Sequence, residues 1–288
     1  MKLTELFKSG KFVVTAEVGP PKGVDIEEML QDAELLRGRI DGFNVTDQQS
    51  SVMRLGSLAV CHLLKERGLE PVYQTTCRDR NRIALQSDLL SAYVLGIENV
   101  LCLTGDYVSL GDHPGAKPVF DLDSVTLLNA AATLQQGRDI AGQELKGSPS
   151  FCLGAVVTPG ANPMGPQIMK MEKKVKAGAQ FFQTQAVYEP EKFQEFMNQV
   201  KHLNVPVMLG IVILKSAGMA RFMNSNVAGV HVPDPLIQEM EEAPNKPRKG
   251  VEIAARLINE MKDMCQGVHI MALGWERRIP AILDGAGL

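Results

Sequence analysis

Apolar residues along this chain gather in short, nearly unbroken runs, and between those runs they recur at helical spacing. The runs are Phe12–Glu17, Gly42–Val45, Pro71–Thr76, Val100–Leu103, Phe151–Val157, Ala179–Gln185, Val207–Ile213 and Val268–Leu273. They largely lack the strict in–out alternation of a half-exposed strand. They therefore predict parallel strands buried on both faces. After the first run, Gly19-Pro20-Pro21 must turn. Ile26, Met29, Leu30, Ala33 and Leu36 then predict a helix, with Asp25 as N-cap and Glu28 completing a capping box. Helices over Val52–Arg67 and Asn81–Leu95 close at Gly68 and Gly96.

Further helices are predicted over Ser124–Gln136, Met164–Ala177, Ala217–Asn224, Pro235–Glu242 and Val251–Met264. Another opens at Glu189-Pro190, with proline at the first helical position. Tyr107–Asp121 reads as a long polar loop, and Lys246–Lys249 as a basic, loop-like connector. Strands alternating with helices give a parallel sheet. Eight such units in 288 residues favour closure into a (β/α)8 TIM barrel over an open sheet, as a single domain spanning residues 1–288.

Composition narrows the function classes. Net charge is −3, and no run of Lys or Arg suggests a nucleic-acid stripe. Met1–Gly10 has no long apolar core, so it is not a signal peptide. The longest apolar stretch, Val205–Leu214, contains Pro206 and Gly210 and is too short to span a bilayer. A soluble, cytoplasmic protein with no nucleic-acid or membrane partner is expected. The five cysteines form no Cys-x-x-Cys pair. Cys102 and Cys152 sit inside predicted strands as small buried hydrophobes, while Cys77 follows a strand and is a candidate reactive thiol. No Gly-x-Gly-x-x-Gly, Walker loop or His-Glu-x-x-His occurs, and the five histidines are scattered without metal-ligand spacing.

The chemistry should sit where strands end, because the carboxyl ends of parallel strands carry the ligands. The stretch Asn99–Asp106 shows this best: its apolar run stops at Thr104-Gly105-Asp106, where glycine permits a sharp turn and a carboxylate follows. In a closed barrel Glu17, Thr46, Gln74, Asp106, Thr158 and Gln185 would all point to one mouth. Two carboxylates among amides and hydroxyls suit recognition and protonation of a nitrogen heterocycle.

Glu17-Val-Gly-Pro-Pro21, Thr75-Thr-Cys-Arg-Asp79, Thr104-Gly-Asp106, Lys173-Lys-Val-Lys-Ala-Gly-Ala179 and Phe181-Phe-Gln-Thr-Gln185 fall in an order and spacing that resembles the methylenetetrahydrofolate reductase family. The resemblance runs across nearly the whole chain. It implies a flavin at the carboxyl-terminal mouth of a (β/α)8 barrel. It also implies reduction of 5,10-methylenetetrahydrofolate to 5-methyltetrahydrofolate by ping-pong hydride transfer through flavin N5. Glu17 matches the family's general acid. Asp106 matches the aspartate near the flavin's pyrimidine edge and the pterin. Gln185 and Thr46 match substrate-side residues, and Lys174 a flavin-contacting lysine. Thr104 and Gly105 fall with Asp106 among the cofactor positions. Gln74, Thr158 and Asn162 occupy flavin-lining positions, but differ in type from the tyrosine and histidines common there.

Two departures stand out. Gly274 and Trp275 replace the family's Asn-Arg after the last strand, which leaves Arg277 or Arg278 to hold the folate tail. The Gly210–Lys215 stretch lacks the aromatic residue that packs on a nicotinamide in relatives. The expected cofactor is FAD, with FMN as the alternative. The expected electron donor is NAD(P)H or a partner subunit, in an oligomer or heteromeric complex. Two other readings stay open: a pterin-binding methyltransferase-type barrel, and a non-catalytic subunit of a larger one-carbon complex.

Overall fold

Each apolar run becomes a parallel strand, and the strands close on themselves in the order β1 to β8. The computed structural model describes residues 1–288. The strands are β1 Val13–Val18, β2 Gly42–Val45, β3 Pro71–Thr76, β4 Asn99–Leu103, β5 Cys152–Val157, β6 Phe181–Ala186, β7 Val207–Val212 and β8 Gly267–Met271. Thr15 is level with Gly42 on β2 and with His269 on β8, which closes the ring.

The outer helices are α2 Glu27–Leu35, α3 Ser57–Glu66, α4 Arg82–Val94, α5 Ser124–Gln135, α6 Gly165–Lys176, α7 Pro190–Val200, α8 Ala217–Asn226, α9 Asp234–Glu242, α10 Lys246–Met261 and α11 Ile279–Ala286. Their apolar stripes meet the outward-facing strand residues in one large core. No helix is long and apolar enough to cross a membrane.

The strands' inward residues fill the lumen in layers. At the amino-terminal end Val13, Val72, Leu101, Cys152, Phe181 and Met208 form an apolar floor. A further helix, α1 (Leu3–Lys8), closes it from below. Leu3 is fully buried in this floor, and its N–H donates to Asn99 Oδ1 at 2.8 Å. Phe181 needs a glycine opposite: a Cβ on Gly154 would lie 2.2 Å from its ring. On β6 the register against β7 slips between Gln183 and Ala186, a bulge at the mouth.

Some local expectations change. The Asp25–Glu28 capping box does not form: Ile26 is the N-cap, and Asp25 accepts only from Glu27 N, at 3.2 Å. Helix α3 starts at Ser57, not near Val52. The residues before it form a loop in which Gln48, Ser50 and Ser51 are left-handed. Lys246–Lys249 is the first turn of α10 rather than a connector. The Asn245 side chain caps Arg248 N, and Pro247 is tolerated in a first turn. Strand β8 stops at Met271, because Leu273 and Gly274 both turn left-handed.

Candidate active site at the barrel mouth

Above the floor the lumen turns polar, and it opens into a cavity of about 310 Å3 at the carboxyl ends of the strands. Of the residues singled out in the sequence, Glu17, Gln74, Thr104, Gly105, Asp106 and Gln185 share its wall. The strand ends explain this: β1 and β6 deliver their last inward residues, β3 the inward residue before its last, and β4 the residues just beyond its end. Gly105 is required where it stands. Its φ is +93°, and a Cβ there would press to 3.1 Å on Thr76 and Arg78.

Glu17 is 8% exposed, and no close donor engages it. Gln49 Nε2 lies 3.5 Å from Oε2, and His269 Nε2 lies 3.8 Å from Oε1. Both distances exceed a good hydrogen bond, so the carboxyl is held loosely at the cavity wall. Asp106 accepts from Ser50 N at 3.1 Å through Oδ2. Gln185 Oε1 accepts from Ala186 N at 3.0 Å, which leaves its amide N–H groups for a ligand.

The loop from β2 to α3 and the loop from β4 to α5 lie across this mouth and clasp each other. Besides the Asp106–Ser50 bond, Asp112 accepts from Met53 N at 3.1 Å and pairs with Lys22. A Cβ on Gly111 would collide with the Ser51 carbonyl oxygen.

Four expected site residues lie elsewhere. Thr46 is buried next to Asp47, which does line the cavity, and its hydroxyl has no partner. Thr158 sits half-buried past β5 against Gly229. Asn162 lines a separate cleft of about 250 Å3 with Lys192 and Glu195. Lys174 is buried and donates from Nζ to the Val156 carbonyl at 2.6 Å. Burial, and then the charge of Lys170, push its pKa down to about 8.

Other residues on the wall carried a weaker signal. Asp47 braces the β3 end: it accepts from Thr76 N and Oγ1, each at 2.9 Å, and from Arg80 at 2.8 Å. Arg78 is buried and spans both loops, donating to the Asp106 carbonyl at 3.4 Å and the Gln48 carbonyl at 3.3 Å. It stands inside the Thr75–Asp79 motif, which could have flagged it. Cys77 is buried, and its thiol is pushed up to about 12 by that burial, so it is no reactive thiolate.

A second cavity of about 490 Å3 shares Glu17 and Gln49 with the first and extends outward under Gly19–Pro21 and Leu273–Gly274. Its rim is acidic, with Asp25, Glu28, Asp32 and Glu276. Arg277 is spent on Asp32 at 2.7 Å, and Arg278 lies over the Trp275 ring at 5.0 Å.

The model of the family "Methylenetetrahydrofolate reductase" matches residues 2–287. The chain belongs to the methylenetetrahydrofolate reductase family. Among curated members of the family, "Methylenetetrahydrofolate reductase 2" of Schizosaccharomyces pombe is 29% identical over 239 residues, 74% of this chain and 35% of the relative. The "Probable methylenetetrahydrofolate reductase (NADPH)" of Caenorhabditis elegans is 22% identical over 77% of this chain and 33% of its own length. The chain thus spans about a third of the length of these curated relatives. An uncharacterized protein from Clostridium thermocellum that binds two copies of 5-methyl-5,6,7,8-tetrahydrofolic acid superposes with a TM-score of 0.69. It is 17% identical, with 99% of this chain and 98% of that chain covered. At that identity it shows the shared barrel. The family match spans all eight strands, and so includes both the floor and the mouth.

Proposed function

We propose that this chain reduces 5,10-methylenetetrahydrofolate to 5-methyltetrahydrofolate at the barrel mouth, with a bound flavin. One observation carries the reading: Glu17, Asp106 and Gln185, distant in sequence, wall one cavity of about 310 Å3 in a chain of this family. The folate-binding barrel of Clostridium thermocellum supports the substrate class.

The donor set suits a heterocycle with an N–H and C=O edge. Asp106 accepts, and Gln74 and Gln185 both donate and accept. Gln74 and Thr104–Asp106 would hold the flavin ring. Lys174, Thr158 and Asn162 lie about the β5 end, outside that cavity, and would meet only parts of FAD or FMN beyond the ring. When bound, the flavin supplies the hydride, and the protein supplies position and charge.

Glu17 as an acid gives its proton to the bridging nitrogen of the folate. The C–N bond breaks, the electron pair stays on that nitrogen, and the one-carbon unit becomes an iminium able to accept hydride. Glu17 is left as a carboxylate. Asp106, already bonded to Ser50 through one oxygen, offers its other oxygen to a ring N–H.

The β7 end, Ile213-Leu214-Lys215, offers no aromatic face to a nicotinamide. The donor is therefore NAD(P)H held another way, or a protein partner. Purified chain supplied with FAD or FMN should take up flavin and bleach under reductant in anaerobic buffer. Methylenetetrahydrofolate should then restore the colour, one equivalent per flavin. Failure to bind either flavin overturns the reading. 5-Methyltetrahydrofolate consumed while the flavin stays oxidised would instead favour methyl transfer.

A further inference from the structure

Between the floor and the cavity lies a ring of four buried polar side chains: Thr15 of β1, Asn44 of β2, Gln183 of β6 and His269 of β8. Buried polar groups must satisfy one another, so their hydrogen bonds can be counted. Gln183 Oε1 accepts from Asn44 Nδ2 at 2.9 Å, and Gln183 Nε2 donates to Asn44 Oδ1 at 3.2 Å and to Thr15 Oγ1 at 3.3 Å. The Met208 sulfur, 4.0 Å from Gln183 Nε2, suits the amide's N–H side and sets its orientation. Thr15 Oγ1 thus accepts from Gln183. Its own proton then has one acceptor within reach, His269 Nδ1 at 2.9 Å. A neutral imidazole that accepts at Nδ1 carries its proton on Nε2. That nitrogen faces Glu17 Oε1 at 3.8 Å.

We infer that His269 is a positioning residue for Glu17, held by Thr15 in the Nε2–H tautomer. Its N–H is aimed at one carboxyl oxygen and so turns the other toward the substrate. It gives no proton away. It steadies the carboxylate that remains after Glu17 has delivered its own proton, when the 3.8 Å separation can tighten to a hydrogen bond. This inference rests on the reading of Glu17 as the general acid. Its structural half, the tautomer, stands without any ligand.

The test has two arms. In the ligand-free chain labelled with 15N-histidine, long-range 1H–15N correlation at mildly alkaline pH should show His269 unprotonated at Nδ1 and protonated at Nε2. Thr15→Ser should keep that pattern, and Thr15→Val should lose it. A wild-type signal from the Nδ1–H tautomer would overturn the inference outright. In the flavin-loaded chain, His269→Leu should slow the folate-side half-reaction by about 10–10²-fold, as misplacement of a catalytic group does. The donor-side half-reaction and the folate KM should stay unchanged. His269→Gln, which can place an amide N–H near the position of Nε2, should recover most of the loss. If Glu17→Gln is crippled while His269→Leu is not, the role of His269 fails and the reductase reading stands. If neither variant affects the folate side, the reading of Glu17 itself fails.

Discussion

The two ends of the barrel lumen use the same strands and the same alternation, yet solve opposite problems. At the floor, Val13, Val72, Leu101, Cys152, Phe181 and Met208 interlock above helix α1, and the buried Asn99 beside them is bonded to Leu3 N at 2.8 Å. At the mouth, two inward positions further along β1 and β6, Glu17 and Gln185 face a cavity, and Glu17 has only long contacts, at 3.5 and 3.8 Å. Between them the Thr15–Asn44–Gln183–His269 ring is closely bonded. Stability is concentrated below and unsatisfied polarity above. A floor mutation should therefore unfold the chain, whereas a mouth mutation should change chemistry and leave the fold standing.

The largest effect that would separate the two ends is expected at Glu17. Glu17→Gln should slow the folate-side half-reaction by about 10²–10⁴-fold, the span of a lost general acid, with an unchanged thermal midpoint. Equal loss in the donor-side half-reaction, read by stopped-flow absorbance, would deny the assigned role. At the floor, Phe181→Ala should cost about 3–5 kcal/mol of stability in denaturant titration, since the Gly154 notch that seats its ring cannot collapse. Whatever protein remains folded should still bind flavin.

Lys174 sits between the two regimes, since its buried ammonium has only the Val156 carbonyl as partner. Its pKa falls from 10.5 to about 8 on folding, so between those pH values the unfolded chain binds the extra proton. Stability should rise with pH through that window, while below pH 8 the full cost of the buried charge is felt. Lys174→Met should thus be more stable than wild type at pH 7, by about 2 kcal/mol after the lost hydrogen bond is counted. The gap should close toward pH 10.5, and urea titrations at several pH values would show it. The smallest effect concerns the clasp. Asp106→Ala removes the acceptor of Ser50 N, and should raise hydrogen exchange at Ser50 about tenfold while leaving the floor amides unchanged.

The barrel was legible because strands buried on both faces write continuous apolar runs, and eight of them alternate with helices. Helix α1 was not, because a six-residue plug shows too little periodicity to separate from a tail. Lys246–Lys249 misled because the cap that starts α10 is Asn245, one residue before the basic run. At the site, Glu17, Gln74, Asp106 and Gln185 share one wall, while Thr46, at the end of β2, does not. Residues that depend on how a loop or helix returns were not gathered there: Thr158, Asn162 and Lys174 all follow or pack on the β5 end. His269 escaped notice because it interrupts an apolar run by a single residue. The signal was present across strands, since Thr15, Asn44, Gln183 and His269 are inward polar residues at one level of their runs, but register between distant strands is invisible before the fold is known.

The central claim is that one cavity at the barrel mouth, walled by Glu17, Asp106 and Gln185, takes both the flavin ring and the folate. A crystal structure of the chain with FAD or FMN and 5-methyltetrahydrofolate tests it most directly. The pterin should stack on the flavin ring between those three side chains, with Asp106 bonded to a ring N–H. Ligands found only in the acidic outer cavity or the Asn162 cleft, with the mouth left to solvent, would contradict it.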